Sequence, residues 1–335
     1  MRKEDNKVLK GVTIGMMVFY HLFYQLENSV LCHNLIIIKG TPLVTLLARG
    51  LNPVPFFIVL SGYGFYRMYE GGGKLHFTRV LKLYVHYWIT LLVYVPLACI
   101  LGFKQYPGDI WEILGNLSAW STTYNHETWF LLPYALMVIA SPWVFRAVNG
   151  LDRPFGRLCL VGATGLLYFA SYLLIHLYGS YLYYHMLVYL PVLFLEFLFP
   201  FVLGMELAAC NGIERRISER LGSNMAIVLL LALISIRLCI KTGVFQPVFS
   251  LLFILIYNAI RLRSTARAFL STVGKRATSI WLIHTWFCYY LFHDFIYSLG
   301  HPFVVFGVTF FLSYLSSLLI DKLRDITFRF LNLQT

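Results

Sequence analysis

An all-α bundle of about ten membrane-crossing helices, with both termini in the cytoplasm, is the fold this amino-acid sequence predicts, and three observations predict it. Hydrophobic residues make up 59% of the chain and charged residues only 13%, with a mean hydropathy of +0.70. That composition is too apolar for a water-soluble chain of 335 residues. The apolar residues fall into runs of about 20, the length that crosses a hydrocarbon core about 30 Å thick. The basic residues, which bring the net charge to +12, gather in short clusters between those runs. The charge is therefore read as topology, and nucleic acid is excluded as a partner.

The first segment, 8 to 26, follows a charged start, MRKEDNKVLKG, and no small-residue cleavage site comes after it. It is read as a retained helix and not as a signal peptide. Further spans are expected at 44 to 66, 79 to 101, 127 to 147, 157 to 178, 183 to 209, 223 to 240, 244 to 260, 278 to 297 and 303 to 320. Pro191 and Pro200 leave room for a re-entrant piece between 181 and 210. With both termini inside, 22 of the 27 Lys and Arg face the cytoplasm, which is the bias that orients membrane helices. The six cysteines are scattered singly with no C-x-x-C, so neither a disulfide framework nor a metal site is expected. One integral membrane domain spans residues 1–335, with no separate soluble domain.

Ionisable groups inside apolar runs are costly and mark pathways or reactive centres. His21 is such a group, eleven residues after Lys10. On a helix, eleven steps return to the same face about 16 Å along the axis. Lys10 at the inner surface is also what an orientation signal or a snorkelling anchor looks like. Ser61 and Tyr63 interrupt the second span beside Gly62, either as hydrogen-bond partners or as a packing notch. Arg79 and Lys82 stand at the inner start of the third span, where cations suit phosphate as well as topology. At the outer entrance of the fourth lie His126, Glu127 and Trp129, able to orient a ligand or to exchange protons. His284 lies inside the span 278 to 297. The outer loop 102 to 127, with Trp111, Trp120 and Tyr124 and the acids Asp109, Glu112 and Glu127, suits sugar binding or an interfacial aromatic belt.

Taken in order, these motifs resemble the acyltransferase family 3 of integral membrane O-acyltransferases: Lys10 and His21 with ten residues between them, FFIVLSGY at 56–63, the basic stretch around Arg79 and Lys82, TWFL at 128–131, FVLGMELA at 201–208 and SIWLIH at 279–284. The resemblance covers residues 10 to 285. It implies transfer of an acetyl or other short acyl group from cytosolic acyl-coenzyme A to a hydroxyl of an extracytoplasmic glycan. His21 matches the family's first-helix histidine, Arg79 its basic residue ahead of the third helix, and His284 the histidine of its Y-L-I-H-like motif. Lys10 stands where arginine is usual and keeps the charge without the bidentate fork. Val85 replaces a common proline, and Trp281 a tyrosine.

The implied site is then His21, His284 and Glu127 as catalytic groups, with His21 as general base or transient acyl acceptor. Lys10, Arg79, Lys82, Ser61 and Tyr63 are expected around acetyl-CoA, and His126 and Trp129 around the acceptor. No metal is expected. The partners implied are a cell-surface polysaccharide or lipid-linked glycan and the lipid bilayer of a bacterial cell membrane, with a homodimer left open. The alternative from another class is a transporter or flippase for a small molecule or glycan precursor, since intramembrane histidines also relay protons.

Overall fold

The computed structural model describes residues 3–73, 77–151, 154–210, 212–240 and 242–333. Arg2, Lys74, Arg153 and Lys241 of the charge count lie outside the described residues. The elements in chain order are α1 (Lys3–Phe23), α2 (Leu26–Ser29), β1 (Ile37–Ile38), β2 (Thr41–Pro42), α3 (Leu43–Gly50), α4 (Val54–Glu70), α5 (Thr78–Ile100) and α6 (Ile110–Ser118). A 3-10 turn (His126–Phe130) leads into α7 (Leu131–Asn149), followed by α8 (Pro154–Tyr184), α9 (Met186–Ala209), α10 (Ile213–Leu221), α11 (Ser223–Cys239) and α12 (Gln246–Tyr257). Then come α13 (Ser264–Lys275), α14 (Ala277–Thr285), a π-helical turn (Trp286–Tyr290), α15 (His293–Ser298) and α16 (Pro302–Phe330). The two short strands form an antiparallel hairpin, Ile37 opposite Pro42.

Among the described residues six helical stretches are long and apolar enough to cross a membrane: Leu43–Glu70, Thr78–Ile100, His126–Asn149, Pro154–Tyr184, Met186–Ala209 and Pro302–Phe330. A seventh results if α10 and α11, bent by 104°, act as one broken span. The fold is an all-α polytopic bundle. The other apolar segments expected from the sequence are helical too, but they are more polar, shorter or interrupted. α1 has 21 residues and carries Lys7, Lys10 and His21, whereas α12 has only 12. The segment 278 to 297 breaks into α14, the π turn and α15. Pro191 and Pro200 sit inside one unbroken 24-residue α9, not a re-entrant piece.

Two compact units interleave along the chain. One comprises Val54–Phe77 and Phe130–Arg263 with the N-terminal residues to Asn6. Its centre is the contact of α4 with α9. A Cβ on Gly62 would overlap the Phe201 carbonyl oxygen, and one on Gly204 the Val59 carbonyl oxygen, so these glycines let the two backbones touch. Where lipid removes the hydrophobic driving force, close approach of small residues is what joins helices.

The other unit comprises Lys7–Pro53, Thr78–Trp129 and Ser264–Thr335. Here α1 meets α13 by the same device, at Gly11 and Gly274, and α14 packs against α16 and α5. The loop beyond α5 is folded: Asp109 caps α6 by accepting the Glu112 N–H at 2.8 Å. The buried Asn116 amide donates to the Glu112 carbonyl and to Thr123 Oγ1.

Candidate active site

Three of the residues singled out from the sequence converge in this second unit: His21 near the end of α1, Glu127 on the 3-10 turn and His284 near the end of α14. His21 is 6% exposed and His284 fully buried. Their contacts fix the tautomers. His284 Nδ1 lies 3.0 Å from the Ile280 carbonyl oxygen and 2.9 Å from that of Trp281. Carbonyls only accept, so this nitrogen carries a proton. A neutral His284 then offers a lone pair at Nε2, which lies 2.7 Å from His21 Nδ1, and His21 must donate there. The lone pair left on His21 Nε2 faces Glu127 Oε2 at 3.0 Å. One proton is shared between those two atoms, held by either the carboxyl or the imidazole. The chain of bonds therefore ends in a proton-exchanging pair on the Nε2 side of His21.

The surroundings include residues the sequence reading passed over. Asn125, buried beside His126, donates from Nδ2 to Thr285 Oγ1 at 2.8 Å. It accepts the Glu127 backbone N–H at Oδ1, 3.2 Å away, and its carbonyl accepts from Thr128 Oγ1 at 2.7 Å. Tyr289 donates its hydroxyl to the His21 carbonyl, and the Tyr290 hydroxyl accepts the His126 backbone N–H at 2.8 Å. Asn125 stands two residues before Glu127, so its nearness to Glu127 was available. The tyrosines carried no such signal.

A second buried polar group lies nearer the start of α14. Ser279 donates to Asp321 Oδ1 at 2.5 Å, and its oxygen lies 3.0 Å from His86 Nε2. The serine proton is committed to the carboxylate, so His86 Nε2 carries the hydrogen of the other bond. Asp321 also binds Arg276 and, at 2.6 Å, Arg324. α5, α14 and α16 are thus tied at one level.

The remaining candidates divide. Arg79 is exposed at the start of α5, and the Lys82 ammonium sits 6.0 Å from the centre of the Phe328 ring. Arg79, Lys82 and His86 are spaced to share one face of α5. Lys10 is partly buried on α1, and among the described residues no hydrogen bond or ion pair holds its ammonium. His126 is exposed and Trp129 partly buried. Ser61 and Tyr63 belong to the first unit and are engaged there, Ser61 with the Tyr134 hydroxyl at 3.0 Å and Tyr63 with Glu214 Oε1 at 3.0 Å.

Residues 7–322 match the family model described as an acyltransferase domain, nearly the whole chain. No curated protein and no solved structure matches it.

Proposed function

The chain belongs to the acyltransferase 3 family of multi-pass membrane acyltransferases, and from that membership we propose that it moves an acetyl group from cytosolic acetyl-CoA to a hydroxyl of an extracytoplasmic glycan in a bacterial cell membrane. The observation that carries this reading is the bonded series His284, His21, Glu127, in which His21 Nε2 faces the Glu127 carboxyl at 3.0 Å. In acyl transfer a hydroxyl loses its proton as its oxygen attacks the thioester carbonyl. The C–O bond forms, the C–S bond breaks, and the departing thiolate takes a proton. A group that accepts and then returns one proton serves both halves.

His21 suits that task because only one of its nitrogens is free to change partner. Nδ1 is pinned on His284, much as a serine hydrolase's histidine is oriented through its own Nδ1. Nε2 is left to the reactants, with Glu127 as the group that shares its proton. The same nitrogen serves a route in which His21 takes the acyl group before passing it on. Lys10, Arg79 and Lys82 are the cations assigned to the phosphates of the donor. Lys10 is the most telling of them, since its partly buried charge has no partner among the described residues. A point charge suffices there, whereas a planar clamp would require arginine. His126 and Trp129, beside Glu127 on the 3-10 turn, are assigned to the acceptor.

The test is acetyl-CoA consumption by the purified chain in liposomes, with release of coenzyme A measured in the presence and absence of added glycan. His21→Ala is expected to lower kcat by about 10²–10⁴-fold, the usual contribution of a proton-transfer group, and Glu127→Gln to lower it in the same direction. A folded His21→Ala protein that works at the wild-type rate removes the proposal. A wild-type chain with no affinity for acetyl-CoA shifts the reading to a transporter.

A further inference from the structure

The segment after Thr285, Trp286–Tyr290, winds as a π helix, and the register it sets against the end of α14 accounts for four contacts at once. The Leu291 N–H reaches back to the Trp286 carbonyl at 2.9 Å, an i to i+5 bond. Residues five apart are thereby stacked on one face. His284 and Tyr289 are five apart and both meet His21, the first through its ring and the second through the backbone carbonyl. Thr285 and Tyr290 are also five apart, and both meet the turn that carries Glu127, at Asn125 and at the His126 N–H. In an α-helix five steps end about 140° away, which would turn the two members of each pair onto different faces. Single π turns inside helices are otherwise rare and gather at functional sites.

We propose that this π turn is the positioning device of the transfer site, with Tyr289 holding the backbone of His21, and Thr285 and Asn125 holding Glu127, so that Nε2 and the carboxyl meet in a shared-proton geometry. The activity readout rests on the acyl-transfer reading; the positioning itself does not. Tyr289, Thr285, Asn125 and Tyr290 are positioning residues, since each acts through His21 or the Glu127 turn. A useful control lies one residue along α1. Tyr297, from α15, donates to the Leu22 carbonyl at 2.8 Å and is buried, whereas Tyr289 is partly exposed. It makes the same kind of bond without taking part in the five-residue register.

The experiment uses the full chain in liposomes with labelled acetyl-CoA, and in parallel measures carbethoxylation of His21 by diethyl pyrocarbonate, read by peptide mass spectrometry. Tyr289→Phe and Thr285→Val are expected to lower kcat by about tenfold each, the scale of one lost buried hydrogen bond, while KM for acetyl-CoA stays unchanged. Thr285→Ser, which keeps the hydroxyl, should restore the rate. Both damaging variants should also speed modification of His21, because Nε2 is released from its partner. Tyr297→Phe should cost thermal stability and leave kcat and the modification rate as they are. Unchanged kcat together with unchanged His21 modification in Tyr289→Phe and Thr285→Val overturns the proposal, as does an equal effect from Tyr297→Phe. If the wild-type chain turns over no acetyl-CoA, the acyl-transfer reading falls, and the carbethoxylation comparison still decides the role of the π turn.

Discussion

At the scale of single residues, the tautomer of His284 decides what His21 can do. Two carbonyls fix the proton on His284 Nδ1, and His284 serves His21 purely as an acceptor. A glutamine at 284 offers an acceptor of similar reach, whereas an alanine leaves the His21 Nδ1–H buried without a partner, at a cost of about 1–3 kcal/mol. His284→Ala is therefore expected to lose more than tenfold in kcat, and His284→Gln to retain a larger share, both measured as coenzyme A release. The two histidines stood out in the sequence because each interrupts an apolar run. Glu127 stood out only through its neighbours, since it lies 106 positions after His21 and nothing in the linear order announces that they meet. Asn125 could be noticed only as a neighbour of Glu127, and Tyr289 was illegible for a physical reason: a tyrosine in an apolar helix is ordinary, and the register that places it is visible only in the backbone.

At the scale of elements, the long apolar helices were legible from length and hydropathy alone, and most of their ends lie within a few residues of the expected ones, while α8 and α16 run on past 178 and 320 to Tyr184 and Phe330. The elements that bear the site were harder to read for a related reason. α1 carries Lys7, Lys10 and His21, and α14 stops at a π turn, so the polarity and the interruption that make them useful also weaken the signal of a span. Some of the shared motifs turn out to be packing devices. Gly62 of the SGY stretch and Gly204 of FVLGMELA lie at the α4 and α9 contact, where a side chain would strike a carbonyl. Gly62→Val and Gly204→Val should therefore each destabilise the folded chain by about 1–3 kcal/mol, as overpacking does. Thermal unfolding in detergent would show this, and catalytic constants of the protein that survives should change little.

At the scale of the whole molecule, the distribution of Lys and Arg makes a statement that labelling can check. Placing both termini in the cytoplasm puts α10 inside and the loop bearing α6 outside. Cysteines introduced at the exposed Arg215 and Trp111 are expected to react with a membrane-impermeant thiol reagent from opposite faces, Trp111→Cys from outside in intact cells and Arg215→Cys only after the membrane is opened. Reaction of both from one face would reverse the assignment. The glycine contacts of α4 and α9 carry one more consequence, for reading genomes. They are demanded by assembly and not by chemistry, so a duplicated gene that had lost its histidine would keep them, and a motif search would still count it as an enzyme. The positions worth inspecting in any such copy are 21, 127 and 284, because a backbone can be inherited intact long after the reaction it once housed has ceased.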